Sequence, residues 1–253
     1  MTDLAWLLLP VAGFGAGFVD AVAGGGGLLT VPALLAAGLP ANLALGTNKG
    51  QAVFGAVASA VGYGRAGLLR PRVIRWGFPA GVLGSLAGAF LVSQIDPQRL
   101  GPVVLVLLLL AAVLVLLPRP RARTDEAESP PAKEPRWLLL TIALAIGGYD
   151  GFFGPGTGTL LIVAFLWIFR ETALSATANA KVVNLASNLA ACVLFACKGL
   201  VIWKIALPMA AANMLGSVVG TRVTLRAGSK FVRAVAVCVA LALAARAASR
   251  LTG

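Results

Sequence analysis

The feature that most constrains this chain is the length of its apolar runs. They span about 4–23, 27–37, 43–62, 73–92 and 101–117, then 137–153, 157–169, 174–196, 205–221 and 231–246. As helices, runs of about 20 residues match the hydrocarbon thickness of a bilayer. Composition agrees: the 253 residues are 59% hydrophobic and only 12% charged, with a mean hydropathy of +0.91. A soluble domain carries roughly 25% charged residues. The expected fold class is therefore all-α, a polytopic integral membrane protein with the lipid bilayer as its partner and no separate soluble domain.

The net charge of +12 does not point to nucleic acid. The basic residues lie between apolar runs, where topology signals belong. The opening "MTDLAWLLLP" lacks the basic region of a signal peptide, so the first segment is expected to be retained. Histidine is absent, which removes His-based proton relays, His metal sites and Ser–His protease chemistry. Cys192, Cys197 and Cys238 all lie in apolar runs and read as small hydrophobes rather than a disulfide framework. With three Met and no Cys cluster, a soft-metal pathway has no support either. No metal, no cofactor and no enzymatic activity are expected.

The two halves of the chain resemble each other. Asp20 precedes "GGGG" and Asp150 precedes "GFFGPGTG", an offset of 130; Lys49 in "GTNKGQ" and Lys181 in "TANAKVVN" are offset by 132. The pair Gly84 and Gly88 recurs at Gly216 and Gly220, again offset by 132, with the small-x-x-x-small spacing that lets helices approach closely. This predicts an internal duplication: a first transmembrane repeat over 1–117, a charged, Pro-rich linker over 118–136, and a second repeat over 137–253. Placing the linker in the cytoplasm puts fourteen Lys and Arg inside and five outside, with two more within segments. Five segments per half is an odd number, so the second repeat is inverted. The count stays odd if the first two segments of each half form a re-entrant hairpin. Inverted repeats with glycine-broken helices at matching positions are the sequence pointer to a secondary transporter.

Asp20, Lys49, Asp150 and Lys181 are the acids and bases well inside apolar segments. Each costs about 2.5–3.5 kcal/mol on insertion scales, so a lipid-facing position is disfavoured. Each aspartate has two readings: a structural acceptor for amides freed at the helix break, or a proton site whose pKa burial raises. Lys49 either snorkels to the interface or joins Thr47, Asn48 and Gln51 at a cavity. Lys181, Asn184 and Asn188 share one helix face, which suits a substrate cavity or a helix-to-helix hydrogen-bonded seam. The glycines Gly24, Gly25, Gly26 and Gly27, and the run Gly154, Gly156, Thr157 and Gly158, each precede a short helix. The free amides of such helix starts bind anions. Opposed repeats bring both starts, and a lysine from each half, toward one point. "GPGTGT" lacks the lysine of a phosphate-binding loop and is not G-x-G-x-x-G.

These segments carry a family resemblance. "GFVDAVAGGGGLLTVPALLAAGLPANLALGTNK" closely resembles the first repeat of the sulfite exporter TauE/SafE family. "GGYDGFFGPGTGTLLIVAFLW" followed by "TANAKVVNLASN" resembles its second repeat. The match covers nearly the whole chain apart from the linker. It implies a multi-pass transporter of the bacterial inner membrane with an inverted duplication, moving sulfite, sulfonates or other small sulfur-containing anions. The family motif falls on Asp20, Gly24, Gly25, Gly26, Gly27, Asn48 and Lys49 in the first half. In the second it falls on Asp150, Gly154, Pro155, Gly156, Thr157, Gly158, Lys181, Asn184 and Asn188. Pro155 stands where the first half has Gly25, so the two breaks need not be equivalent.

The expectation is thus an alternating-access exporter of sulfite or an organosulfonate, with one repeat rocking against the other. The anion is held between the broken-helix ends by Lys49 and Lys181. Protons are the candidate coupling ion through Asp20 or Asp150, and a homo-oligomer is compatible with the sequence. An uncoupled anion channel and a non-transporting membrane assembly protein are the other readings.

Overall fold

The computed structural model describes residues 3–116 and 135–251, with side chains over 6–113 and 135–228. Nearly all of the predicted linker, with Arg119, Arg121, Arg123 and Lys133, lies outside the described residues. So do the side chains of Lys230, Arg233, Cys238, Arg246 and Arg250.

No strand forms among the described residues. The helices are α1 (Asp3–Ala23), α2 (Gly27–Ala36), α3 (Ala41–Arg65), α4 (Phe78–Val92), α5 (Pro97–Leu116), α6 (Arg136–Phe152), α7 (Thr157–Trp167), α8 (Ala173–Cys197) and α9 (Trp203–Leu251). A π-helical turn over Val73–Gly77 leads directly into α4. Among the described residues, three stretches are long and apolar enough to cross a membrane: Trp6–Ala23, Val73–Val92 and Ala173–Cys197. Large apolar side chains such as Leu7, Val11, Leu83, Leu91, Leu105 and Leu215 point outward, while Lys49, Asp150 and Lys181 are buried. That inversion suits a lipid solvent and would be a hazard in water.

Two boundaries differ from the hydropathy reading. Helix α5 starts at Pro97 rather than near residue 101, because Asp96 caps it. Its carboxylate accepts from the Gln98 amide at 2.8 Å, and Pro97 at the first helical position gives up no needed donor. The last two apolar runs merge into α9, interrupted only at Gly228, whose φ of 67° breaks the helical path. Cys197, the last residue of α8, is exposed rather than buried.

Packing partners exchange between the halves. Helix α1 packs on α9 and α4 on α6; α3 packs on α9 and α8 on α4; α3 and α8 meet each other. Glycine makes the first two contacts possible. A methyl group at Gly216 would strike the Phe14 carbonyl, and one at Gly84 would strike the Leu144 carbonyl. Contacts advance together along both helices, from Gly13 beside Met209 to Gly17 beside Asn213, so α1 and α9 run parallel. The same holds for α4 and α6, where Gly84 meets Leu144 and Gly88 meets Gly148. Backbones this close gain dispersion and shield polar backbone atoms without any apolar drive from lipid.

A clasp closes each of two loops. The Asn179 side-chain carbonyl on α8 accepts from the Arg70 amide at 2.9 Å. The Thr47 hydroxyl on α3 accepts from the Ile202 amide at 3.1 Å. The first clasp is reinforced by an ion pair between Arg70 and buried Glu171, 2.8 Å long. Glu171 also accepts from Ser175 at 2.7 Å and Asn179 at 2.8 Å. Burial pushes the Glu171 carboxyl above its ordinary range, and the bonds from Asn179 and Ser175 and the Arg70 charge only partly oppose it.

Gly216→Ala should destabilise the bundle in detergent by about 1–3 kcal/mol through overpacking. Gly15→Ala, whose added carbon meets nothing, should be neutral or slightly stabilising; thermal midpoints compare them. Between the unfolded carboxyl pKa and the raised folded one, folding takes up a proton at Glu171. Stability should therefore fall as pH rises through that window, and Glu171→Gln should flatten the slope of midpoint against pH.

Candidate functional site

The sequence breaks α1 from α2 at Gly24 and α6 from α7 at Gly154 and Gly156, all three with positive φ (72°, 97° and 86°). Only glycine takes such angles at little cost. The two breaks lie against each other. The Gly24 and Gly158 backbones touch with no room for a side chain on either, and Gly27 abuts Pro155. Thr159 on α7 donates its hydroxyl to the Gly24 carbonyl and lies 3.1 Å from that of Ala23. The first turns of α2 and α7 therefore open onto a shared space.

The four intramembrane charges meet there as crossed pairs. Lys49 on α3 binds Asp150 on α6 at 2.8 Å. Lys181 on α8 binds Asp20 on α1 at 2.7 Å. Each acid is thus satisfied by the base of the other half. Asn188 accepts from Lys49 at 3.2 Å, and Asp150 also accepts a short bond from Ser187. The lysines are 2% and 0% exposed, so Lys49 does not snorkel. The pairs differ in one respect: the Asp20 side chain is 22% exposed and that of Asp150 only 2%.

One cavity of about 30 Å³ lies between the breaks, room for one or two waters. Around it stand Asp20, Gly24, Gly25, Gly26, Gly27, Asn48, Lys49, Asp150, Gly154, Gly156, Gly158, Asn184 and Asn188. Three of the residues singled out from sequence do not line it. Thr47 holds the Ile202 amide, Thr157 donates to the Gly154 carbonyl at 2.7 Å, and Lys181 is covered by Asp20. Asn48 accepts from Thr30 at 2.6 Å and from Gln51 at 3.1 Å, which fixes its amide. Gln51, Ala52 and Asn213 also line the cavity. Asn213 was legible as an amide in an otherwise apolar run, four residues before Ser217. Among the described residues no group of His, Cys, Asp and Glu could hold a metal.

The charges of the cluster cancel, which is how four ions are tolerated at membrane depth. Removing one partner leaves the other buried and uncompensated, a loss of about 3–5 kcal/mol. Asp150→Asn should therefore destabilise the protein by that order, and adding Lys49→Met should restore most of it. Denaturation in detergent across the double-mutant cycle measures the coupling.

The sequence profile described as "Sulfite exporter TauE/SafE" matches residues 9–247. A probable membrane transporter protein, ORF9, of Sinorhizobium sp is 37% identical over 97% of this chain and 94% of its own length. One of Haemophilus influenzae is 36% identical over 96% of this chain and 94% of its own. The probable membrane transporter protein YfcA of Escherichia coli K12 is 35% identical over 91% and 85%. No solved structure matches the chain. With a matching profile over most of its length and transporter relatives along nearly all of it, this membrane protein belongs to the sulfite exporter TauE/SafE family.

Proposed function

We propose that the protein is a secondary transporter that exports a small sulfur-containing oxyanion, sulfite or an organosulfonate, across the bacterial inner membrane. The observation that carries this reading is the meeting of two helix starts at one cavity beside two buried lysines. Free amides and helix dipoles at such starts favour negative charge, and lysine adds full positive charge. Discontinuous helices whose starts face the substrate at membrane depth recur in secondary transporters.

An inverted duplication, with repeats over 1–117 and 137–253 joined by a cytoplasmic linker, accounts for the exchange of packing partners and the crossed charge pairs. The short helices suit re-entrant segments. At 1.5 Å per residue, the 10 residues of α2 and 11 of α7 reach only about half the hydrocarbon thickness.

The crossed pairs suggest how coupling works. A lysine held by a carboxylate has little charge to offer an anion. Protonating that carboxylate frees the lysine, so the anion and the ionised acid compete for one ammonium. Proton binding and anion binding then favour each other, a reciprocity required by linkage. The cavity is small, so admitting the anion requires it to widen, as alternating access demands.

Counterflow of labelled sulfite in proteoliposomes, with sulfonates and thiosulfate as competitors, tests the reading. Lys49→Met with Lys181→Met should abolish binding and exchange. Unchanged sulfite affinity in the folded double variant would refute the assignment, and failure of wild-type protein to accumulate anion against a gradient would refute coupling.

A further inference from the structure

One face of α9 carries Asn213, Ser217, Thr221 and Thr224, spaced so that all four point one way. Opposite them on α3 stand Gln51, Ser59 and Tyr63. The faces interlock: Asn213 and Ser217 fill the notch at Gly55, and Thr221 that at Gly62. Every polar member is buried, none more than 5% exposed. The seam starts at the cavity, which Gln51 and Asn213 line, and runs toward the end of α3 that carries Arg65.

Its hydrogen bonding is incomplete. Ser59 Oγ and Gln51 Oε1 have no partner within the protein. The Thr221 and Thr224 hydroxyls lie beside the Tyr63 phenol without forming a well-aligned hydrogen bond. Tyr63 itself donates to the Ala21 carbonyl at 2.9 Å, one residue from Asp20. Buried polar groups are nearly always paired, with protein or with ordered water. Three hydroxyls and one amide oxygen without an aligned protein partner, gathered along one buried seam, have the chemistry of a lane that ordered water completes.

The positions 132 residues away make the contrast. On α8 they are Val183, Ser187, Ala191 and Phe195; on α4 they are Gly81, Ser85, Ala89 and Val92. Past the two serines this second seam is apolar, and Ala89, Val92, Ala191 and Phe195 belong to a hydrophobic core with Leu100 and Val104. One seam leading from the cavity is lined with hydroxyls and the matching seam is packed with hydrocarbon.

We propose that the hydroxyl seam between α3 and α9 conducts water and protons from the Arg65 end of the bundle to Asp20, making Asp20 rather than Asp150 the carboxylate that exchanges protons with solution. This rests on the transporter reading and assigns its proton route. A hydronium entering the seam gives its proton to an Asp20 carboxylate oxygen and leaves as water. Lys181 keeps its own proton and is released from the ion pair. The groups facing Asp20 are Lys181 on α8 and Tyr63 on α3, with Lys49 and Asp150 across the cavity. Helices α2 and α7 contain no ionisable side chain, and Lys204, Arg222 and Arg226 of α9 are exposed.

Sided thiol labelling tests the lane without relying on transport. In full-length protein carrying Cys192→Ala, Cys197→Ala and Cys238→Ala, single cysteines are placed by Ser59→Cys, Thr221→Cys, Ala89→Cys or Ala191→Cys. Each is treated in oriented proteoliposomes with a charged, membrane-impermeant methanethiosulfonate. The first two should react from the Arg65 face only, and the last two from neither face. Equal reactivity of the two sets, or no reaction at 59 and 221 in protein that still exchanges sulfite, overturns the lane. Reaction at 59 and 221 in wild-type-like protein that moves no anion supports the lane and refutes the transporter reading instead. Thr221→Val with Thr224→Val gives a second measure: proton uptake followed by a trapped pH dye should slow by about 100-fold, the low end of what a positioned proton-transfer group contributes. An unchanged rate in the folded double variant overturns the proposal.

Discussion

Everything near the centre of this protein depends on the exchange of charges between its halves. Asp20 reaches Lys181 and Asp150 reaches Lys49, so the charges of each half find their partners in the other. Buried ion pairs are weak evidence of stability in general, because desolvation offsets much of their attraction. Here their value is positional. They fix the two broken helices against α3 and α8, and they hold two cations beside two helix starts without a net charge that lipid would reject. The glycine contact between Gly24 and Gly158 sets the distance at which this exchange is possible.

Much of this was legible in the sequence, and the rest failed for identifiable reasons. Apolar run lengths located the helices, because the bilayer permits little else. Their place inside apolar segments singled out the four intramembrane charges, and a near-constant offset matched them between the halves, before any geometry was known. The pairing itself was hidden: spacing along a chain does not say whether Asp20 turns to Lys49 or to Lys181, since both choices satisfy the same charge rule. Glu171 was passed over because it follows Arg170 in what reads as a solvated loop. Its burial comes from Arg70, 101 positions away in sequence, and from Asn179 and Ser175 on the following helix. The start of α5 was misplaced because hydropathy does not register a cap such as Asp96.

The glycine seams also restrict how the molecule can move. Helix α1 is locked to α9 and α4 to α6 by backbone contacts that tolerate no intervening atom. Sliding the chain's first half as one body against its second would shear both seams. Bodies drawn across the sequence, one around α1 and α9 and one around α4 and α6, would leave them intact. The divide between such bodies passes through the crossed ion pairs and the cavity, and through the α3–α8 contact and the apolar cluster that joins Leu45 to Phe195. Packed interfaces of this kind switch between discrete arrangements more readily than they deform.

The glycine face of α1 has a consequence for how the protein is made. Gly13 and Gly17 are matched to Met209 and Asn213, residues synthesised nearly two hundred positions later. Until α9 enters the bilayer, that face has no native partner, and Asp20 and Lys49 await counter-ions encoded in the second half. The first five helices therefore enter lipid with an open groove on α1 and with Asp20 and Lys49 apart from their native partners. The native contacts of these groups wait for α6, α8 and α9, which carry Asp150, Lys181 and the partners of Gly13 and Gly17.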